Sequence, residues 1–227
     1  MLSSFLSSPR QGHLEQVLHI FAYLKRYNRS TMVFDDTLPN IVECNFPKAD
    51  WSKFYRDAKE EIPLNAPEPR GKEINMYCFC DADHACNRLT CWSQTGIFIF
   101  LDRAPIVWYS KKQNTVESST FGSEFVALQI AVDLIVSLQY KLRMMGIPVL
   151  TPCLTLCDNE TTIKNSTILE SVFKKKHNAI AYHRVREAVA ADILRINYIN
   201  SADNLADMFT KPLTRERIHN FCEQILY

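Results

Sequence analysis

The sequence predicts an α/β fold, a mixed five-stranded sheet flanked by helices and preceded by a small helical segment. Three observations carry this. Five short apolar runs of strand length, 75–80, 95–101, 104–109, 154–157 and 194–200, are bounded by polar or turn residues. The first three follow one another as an antiparallel set; a long helical pattern then leads to a strand that pairs beside the first. The 227 residues are 47% hydrophobic, enough for one substantial core plus a smaller piece.

Taken in order, residues 13–28 set Leu14, Val17, Leu18, Phe21 and Leu24 at helical spacing behind Pro9 and Gly12, an amphipathic helix in need of a partner. The tetrad Val33-Phe34-Asp35-Asp36 resembles the paired aspartates of a polymerase hairpin. Only 32 residues precede Val33, too few for the palm that would carry a third aspartate, so a strand end and a turn at Pro39 and Asn40 is the better reading. Residues 46–72, with Pro47, Pro63, Pro67, Pro69 and Gly71, read as an irregular linker.

A folded unit is expected from about Lys72. Its first strand, 75–80, precedes strands 95–101 and 104–109, which Asp102 and Arg103 join as a tight hairpin. The long helix, 123–145, has Ser118, Ser119 and Thr120 as caps before it and is stopped by Gly146 and Pro148. Stepping back by threes and fours from Leu142 through Leu138, Ile135, Ala131 and Leu128 lands on Glu124, which places that carboxylate on the apolar, buried face. Strand 154–157, helices 161–168 and 178–191, strand 194–200 and a short helix 203–210 follow. Beyond Pro212, Ile218, Phe221, Cys222 and Ile225 form a stripe that reads as core or partner-facing.

Composition narrows the function classes. With 26 Lys and Arg against 25 Asp and Glu, the net charge of +1 advertises no global affinity for nucleic acid. Any such contact uses local patches: Lys111 and Lys112, Lys174–Lys176, or Arg184 with Arg186, each of which alone reads as a solvated charged face. The eight cysteines have neither disulfide nor zinc grammar: Cys78 and Cys80 alternate in a strand, four residues separate Cys86 from Cys91, and Cys153 and Cys157 bracket another strand. Reduced thiols and no structural zinc are expected, His84 notwithstanding. Met1–Ser8 lacks the basic start of a signal peptide, and the apolar stretch 125–138 is short for a bilayer and contains Asp133, so a soluble chain without a membrane partner is expected.

Four carboxylates, Asp81, Glu124, Asp158 and Asp207, stand out. Asp81 and Asp158 each end an apolar run and so project from the carboxyl ends of strands, while Glu124 and Asp207 open helices. Four converging carboxylates repel one another unless divalent cations hold them, which outlines a two-metal phosphodiesterase site. Hard cations take oxygen ligands, which accounts for carboxylates rather than His or Cys.

The wording around these residues resembles a family. CDADHA at 80–85, SKKQNTVESSTFGSEFVAL at 110–128, LCDN at 156–159, HNAIAYHRVREAV at 177–189 and NLADMFTKPL at 204–213 resemble the ribonuclease H domain of copia-type retrotransposon Pol polyproteins. HLEQVLHIFAYLKRY resembles the segment that follows reverse transcriptase there. The resemblance implies a ribonuclease H-like fold over residues 73–213, a remnant of the reverse transcriptase connection at 1–45, the linker at 46–72 and a C-terminal helix at 214–227. It implies hydrolysis of the RNA strand of RNA–DNA hybrids with two Mg²⁺ ions, for which Mn²⁺ can substitute. Asp81 would bridge the ions, Glu124 and Asp158 would complete one side, and Asp207 the other. The implied partners are the hybrid and an upstream reverse transcriptase; the implied location is intracellular, in a cytoplasmic virus-like particle or the nucleus.

Several neighbours compete for roles. Asp203 at the start of the last short helix reads as its cap, which favours Asp207 as fourth ligand. Asp83 shares a face with Asp81 if the strand continues, and otherwise lies in a loop. Asn159 could orient Asp158. Cellular ribonucleases H carry a histidine before the last aspartate; here the loop Asn200-Ser201-Ala202-Asp203-Asn204 has none, and His177 and His183 flank the preceding helix as surface or packed residues. Gln113, Ser119 and Thr120 are positioned for hydroxyl or phosphate contacts and Lys111 and Lys112 for the DNA backbone. The alternative class is a catalytically silent remnant that binds duplex or supports a polymerase; Cys86–Trp92, where a glycine and paired basic residues are expected, is the place that would show decay. An integrase or transposase would put a Glu last, whereas here Glu comes second.

Overall fold

The computed structural model describes residues 6–32, 34–39, 41, 49–86, 90–171 and 178–226; Val33, Asn87, Arg88, Leu89, Lys174–Lys176 and His177 lie outside the described residues. The chain forms two compact units, Met1–Val33 with Cys222–Tyr227, and Phe34–Phe221. In the first, helix α1 (Gln11–Arg26) buries none of its residues. Among the described residues, Leu14, Leu18, Phe21 and Leu24 of the apolar stripe are exposed and Val17 is half-buried. Within the same unit Met32 bridges Leu226 in antiparallel fashion.

The second unit runs β1 (Met76–Asp83), β2 (Gln94–Leu101), β3 (Ala104–Lys112), α2 (Thr120–Met144), β4 (Cys153–Cys157), α3 (Glu160–Thr167), α4 (Ala179–Ala190), β5 (Leu194–Tyr198), α5 (Asp207–Thr210) and α6 (Arg215–Cys222). The sheet order is β3-β2-β1-β4-β5. β1, β2 and β3 are antiparallel neighbours, and β4 and β5 add in parallel. This is the ribonuclease H-like arrangement implied by the resemblance.

Strand alternation builds two layers. Cys78, Cys80, Ile97 and Ile99 pack with Phe125, Leu128, Ala131 and Ile135 of α2 in one buried core. Phe79, Phe98 and Phe100 carry the other face, where the Phe209 ring of α5 meets Phe98 edge-on at 5.1 Å. Ser119 caps α2 and Gly146, at φ 74°, ends it. At 25 residues α2 exceeds the apolar run read from the sequence, and by length and composition could cross a bilayer; here its apolar face is the core against β1 and β2.

The compact unit begins at Phe34, well before the expected start at Lys72, because the expected linker is tied down by side chains. Trp51 opens a short 3-10 turn (Trp51–Lys53). The guanidinium of Arg186 lies 4.7 Å from the Trp51 ring centroid and 4.9 Å from that of Tyr182. Arg186 is 2% exposed and donates to the carbonyls of Asn165, Ile168 and Leu169. It therefore holds the strap and is unavailable to nucleic acid, contrary to the patch read from sequence. Arg143 grips Glu60 through two short bonds, 2.7 and 2.6 Å, and Tyr55 meets His183 Nδ1 at 2.7 Å. Arg184 pairs with Asp133 at 3.1 Å.

Candidate metal centre

β1 runs past its expected end because Asp81 and Asp83 stay in register with Gly96 and Gln94 of β2. Asp81 thus lies inside the strand, not at its terminus, and Asp83 falls on the same face. The partner position opposite Asp81 is a glycine for a steric reason: a Cβ on Gly96 would lie 2.6 Å from the Ala206 carbonyl oxygen and 2.6 Å from Thr210 Cγ2. The missing side chain admits α5 against the sheet. Phe209 anchors it there, and Ser110 Oγ donates to the Phe209 carbonyl at 2.6 Å. Thr210 Oγ1 then donates to Asp81 Oδ2 in a very short bond.

Asp158 follows β4 directly, as the sequence predicts. Glu124 sits in the second turn of α2, because the helix starts at Thr120 rather than at Ser123. One carboxylate oxygen from each of Asp81, Glu124 and Asp158 lies within 4.8 Å of the others. Asp81 is 1% and Glu124 7% exposed. Burial, reinforced by the charges of Asp207 and Asp158, pushes the Asp81 carboxyl up to about 6 against the opposing pull of Lys211 and Thr210. Burial, then the charges of Asp81 and other neighbours, raises Glu124 well above the usual range. Two acids raised by desolvation and by neighbouring carboxylates, with hard oxygen donors in reach of one point, are a donor set suited to a divalent cation.

Asp207, the fourth predicted ligand, is not one of the three whose oxygens lie within 4.8 Å of one another, although its charge bears on Asp81. It is the first residue of α5 and 1% exposed. Its Oδ1 accepts from Lys211 Nζ at 2.8 Å and its Oδ2 from Arg217 at 2.6 Å. Lys211 Nζ also donates to Asp81 Oδ1 at 3.1 Å. Burial draws the Lys211 ammonium down, but Asp81 and Asp207 outweigh it and hold it above its ordinary value. Arg217 also donates to the Ser201 carbonyl in a very short bond, and Ser201 Oγ donates to Asp158 Oδ2 at 2.6 Å.

Lys211, Thr210, Ser201 and Arg217, which the sequence reading does not single out, contact the candidate carboxylates. Lys211 was legible: it stands four residues after Asp207, within the quoted motif, where a helical turn stacks opposite charges. Arg217 was not, since α6 reads as a core or partner-facing stripe and only the chain's return over the loop at 200–204 brings it in.

The remaining candidates divide. Lys111 and Lys112 are exposed at the end of β3, which extends beyond its expected Tyr109, and Lys112 Nζ lies 3.5 Å from the Trp92 ring centroid. Thr120 is exposed beside the half-buried cap Ser119, whose side chain accepts from Gly122 N at 3.3 Å. Gln113 corrects its reading as a substrate contact: it is 2% exposed, and its amide donates inward to Thr95 Oγ1 and the Ser123 carbonyl, tying β2 to α2. Asn159 caps α3, accepting from Thr162 N at 3.1 Å, and so satisfies a helix end. Asp203 caps no helix, because residues 201–203 are a turn and α5 starts only at Asp207. His183 is on the exposed side of α4, bonded to Tyr55.

No family model matches the chain. Curated relatives do. The chain is 31% identical over 158 residues to the retrovirus-related Pol polyprotein from transposon RE1 of Arabidopsis thaliana, covering 69% of this chain and 11% of that protein. It is 28% identical over 156 residues to the Pol polyprotein from transposon TNT 1-94 of Nicotiana tabacum, 69% and 12% respectively. It is 30% identical over 163 residues to the transposon Ty1-JR1 Gag-Pol polyprotein of Saccharomyces cerevisiae, 71% and 9%. The chain thus spans about a tenth of the length of the relatives it matches. Among solved structures, it is similar to the N-terminal RNase H domain of a Mycobacterium tuberculosis protein, with 15% identity, TM-score 0.47, and coverage of 66% of this chain and 97% of that one. It is also similar to LC11-RNase H1 in complex with an RNA/DNA hybrid, with 15% identity, TM-score 0.48, 60% and 94%.

Proposed function

The chain is homologous to the retrovirus-related Pol polyproteins of copia-type transposons, and from that premise we propose that it is a metal-dependent endoribonuclease cutting the RNA strand of RNA–DNA hybrids. In this reading residues 73–213 are the nuclease, 46–72 its strap, 214–227 a C-terminal helix, and 1–45 the end of a polymerase connection. Its partners are the hybrid and a reverse transcriptase of the same polyprotein, and it works inside the cell, in a cytoplasmic particle or the nucleus. The observation that carries the reading is the triad: buried Asp81 and Glu124 and half-buried Asp158 offer three oxygens within 4.8 Å of one another, from β1, the core helix and the residue after β4.

Asp81, Glu124 and Asp158 would hold Mg²⁺, with Mn²⁺ able to substitute, and the bound ion would supply Lewis acidity that turns a water into a nucleophile and charge that stabilises a leaving oxygen. The second ion implied by the resemblance would draw on Asp207, both of whose oxygens are engaged by side-chain cations. The chain's own residues do the rest. β1 and β4 fix Asp81 and Asp158 on neighbouring strands, and Ser201 orients Asp158 through its Oδ2. Ser119 and Thr120 present hydroxyls at the start of α2, where helix N–H groups favour phosphate. In this reading the exposed Lys111 and Lys112 of β3 serve as contacts to the duplex backbone, and Lys112 Nζ is held 3.5 Å from the Trp92 ring centroid.

The test uses the full chain, an Asp158→Asn variant, and a hybrid labelled on its RNA strand with Mg²⁺, Mn²⁺ or chelator. Cleavage by the parent, abolished by chelator, absent from the variant and from double-stranded DNA, is expected. Tight hybrid binding without cleavage in either metal would overturn the nuclease reading in favour of a silent, duplex-binding remnant.

A further inference from the structure

The four acidic residues fall into two halves with different counter-charges. Asp81, Glu124 and Asp158 converge on one point. Asp207 is turned to side chains: Lys211 on one oxygen, Arg217 on the other. Lys211 Nζ spans the two halves, 3.1 Å from Asp81 Oδ1 and 2.8 Å from Asp207 Oδ1. Taking the nuclease reading above as given, we propose that Lys211 is a built-in second cation, so that the site takes one divalent ion on the triad and the ammonium serves between Asp81 and Asp207.

Charge and geometry both favour this. Within the four, Lys211 and Arg217 face Asp207 and Lys211 also faces Asp81, while a single divalent ion on the triad matches the remaining carboxylates; Asp83, on the same face as Asp81, adds a further acid within reach of Lys211 and Asp207. A second ion bridging Asp81 and Asp207 would have to expel the ammonium from between them, or sit against it at the cost of like-charge repulsion. The ammonium is held by three linked restraints. Asp207 is fixed by Arg217, Arg217 is bound to the Ser201 carbonyl, and α5 is seated on Gly96 through Phe209 and Thr210. A lysine has three N–H donors, of which these carboxylates take two. The third is left for a phosphate oxygen, and the side chain is 34% exposed, open enough for a ligand to reach it.

The experiment counts Mn²⁺ ions bound per full-length chain, by calorimetric titration and by the loss of the free-ion electron paramagnetic resonance signal. The proteins are wild type, Lys211→Met, Lys211→Arg and Asp158→Asn. One ion in wild type and in Lys211→Arg, two in Lys211→Met, and loss of the wild-type ion in Asp158→Asn are expected. Two ions in wild type, or one in Lys211→Met, overturn the role of Lys211 while leaving the metal-dependent nuclease intact. No ion in wild type overturns this inference and the nuclease reading together. Tryptophan-fluorescence melts check that each variant is folded; if Lys211→Met is not, the wild-type count alone still decides between one ion and two.

Discussion

Replacing Asp81 with Asn in metal-free protein removes a carboxylate whose ionisation the fold opposes, and the consequence for stability is calculable. Burial with Asp207 and Asp158 nearby moves the Asp81 carboxyl from 3.8 up to about 6. Its folded value lies above its unfolded one, so the stability it contributes is fully present below about pH 3.8 and is lost as pH rises through about 6. The full loss is about 3 kcal/mol, of which about 2 kcal/mol falls between pH 4.5 and 7.5. Glu124, held up in part by Asp81, acts in the same direction. For a unit of this size the loss corresponds to about 4–8 °C in Tm. The assay is thermal unfolding in chelator at both pH values, followed by the fluorescence of Trp51, Trp92 and Trp108, all of which lie in Phe34–Phe221. Taking the difference between wild type and Asp81→Asn cancels the titration of carboxylates elsewhere. Wild type should lose stability relative to the variant as pH rises, and Mg²⁺ should restore wild type but not the variant at pH 7.5. A difference independent of pH, or one growing in favour of wild type, would mean that Lys211 outweighs desolvation and would refute the reasoning.

Two further outcomes follow from the packing. Gly96→Ala places a methyl 2.6 Å from the Ala206 carbonyl oxygen and Thr210 Cγ2, so it should cost about 1–3 kcal/mol in urea unfolding and, by shifting α5 with Asp207 and Lys211, slow hybrid cleavage about 100-fold; unchanged cleavage would show that α5 does not need its seat. Arg186→Ala strands three carbonyls and uncovers Trp51, so the urea midpoint should fall by the equivalent of about 3 kcal/mol or more, with Trp51 emission shifted red; a change under about 0.5 kcal/mol would show that the strap is not held by this residue.

Much of the architecture was written locally. The five strands and the long helix could be read from apolar period and punctuation alone, because burial on one face forces a repeat into the sequence and Gly146 with Pro148 marks a stop whatever surrounds it. β1 runs on to Asp83 because its pairing with β2 outlasts its apolar run, and a strand's end is set by its partner rather than by its own composition. The expected linker packs because Arg186, on a helix more than 100 residues away in sequence, lies over Trp51; a composition rich in proline says that a segment is irregular, not that it is loose.

The same division governs the site. Sequence alone singled out four carboxylates as candidates and placed Asp158 directly after a strand, since acidic residues after apolar runs are a local pattern. Only the tertiary structure decided that Asp81, Glu124 and Asp158 converge while Asp207 is held by Lys211 and Arg217. That decision rests on the approach of α5 to Gly96 and the return of α6 over the loop at 200–204, and such long-range distances leave no periodicity in the chain to be read.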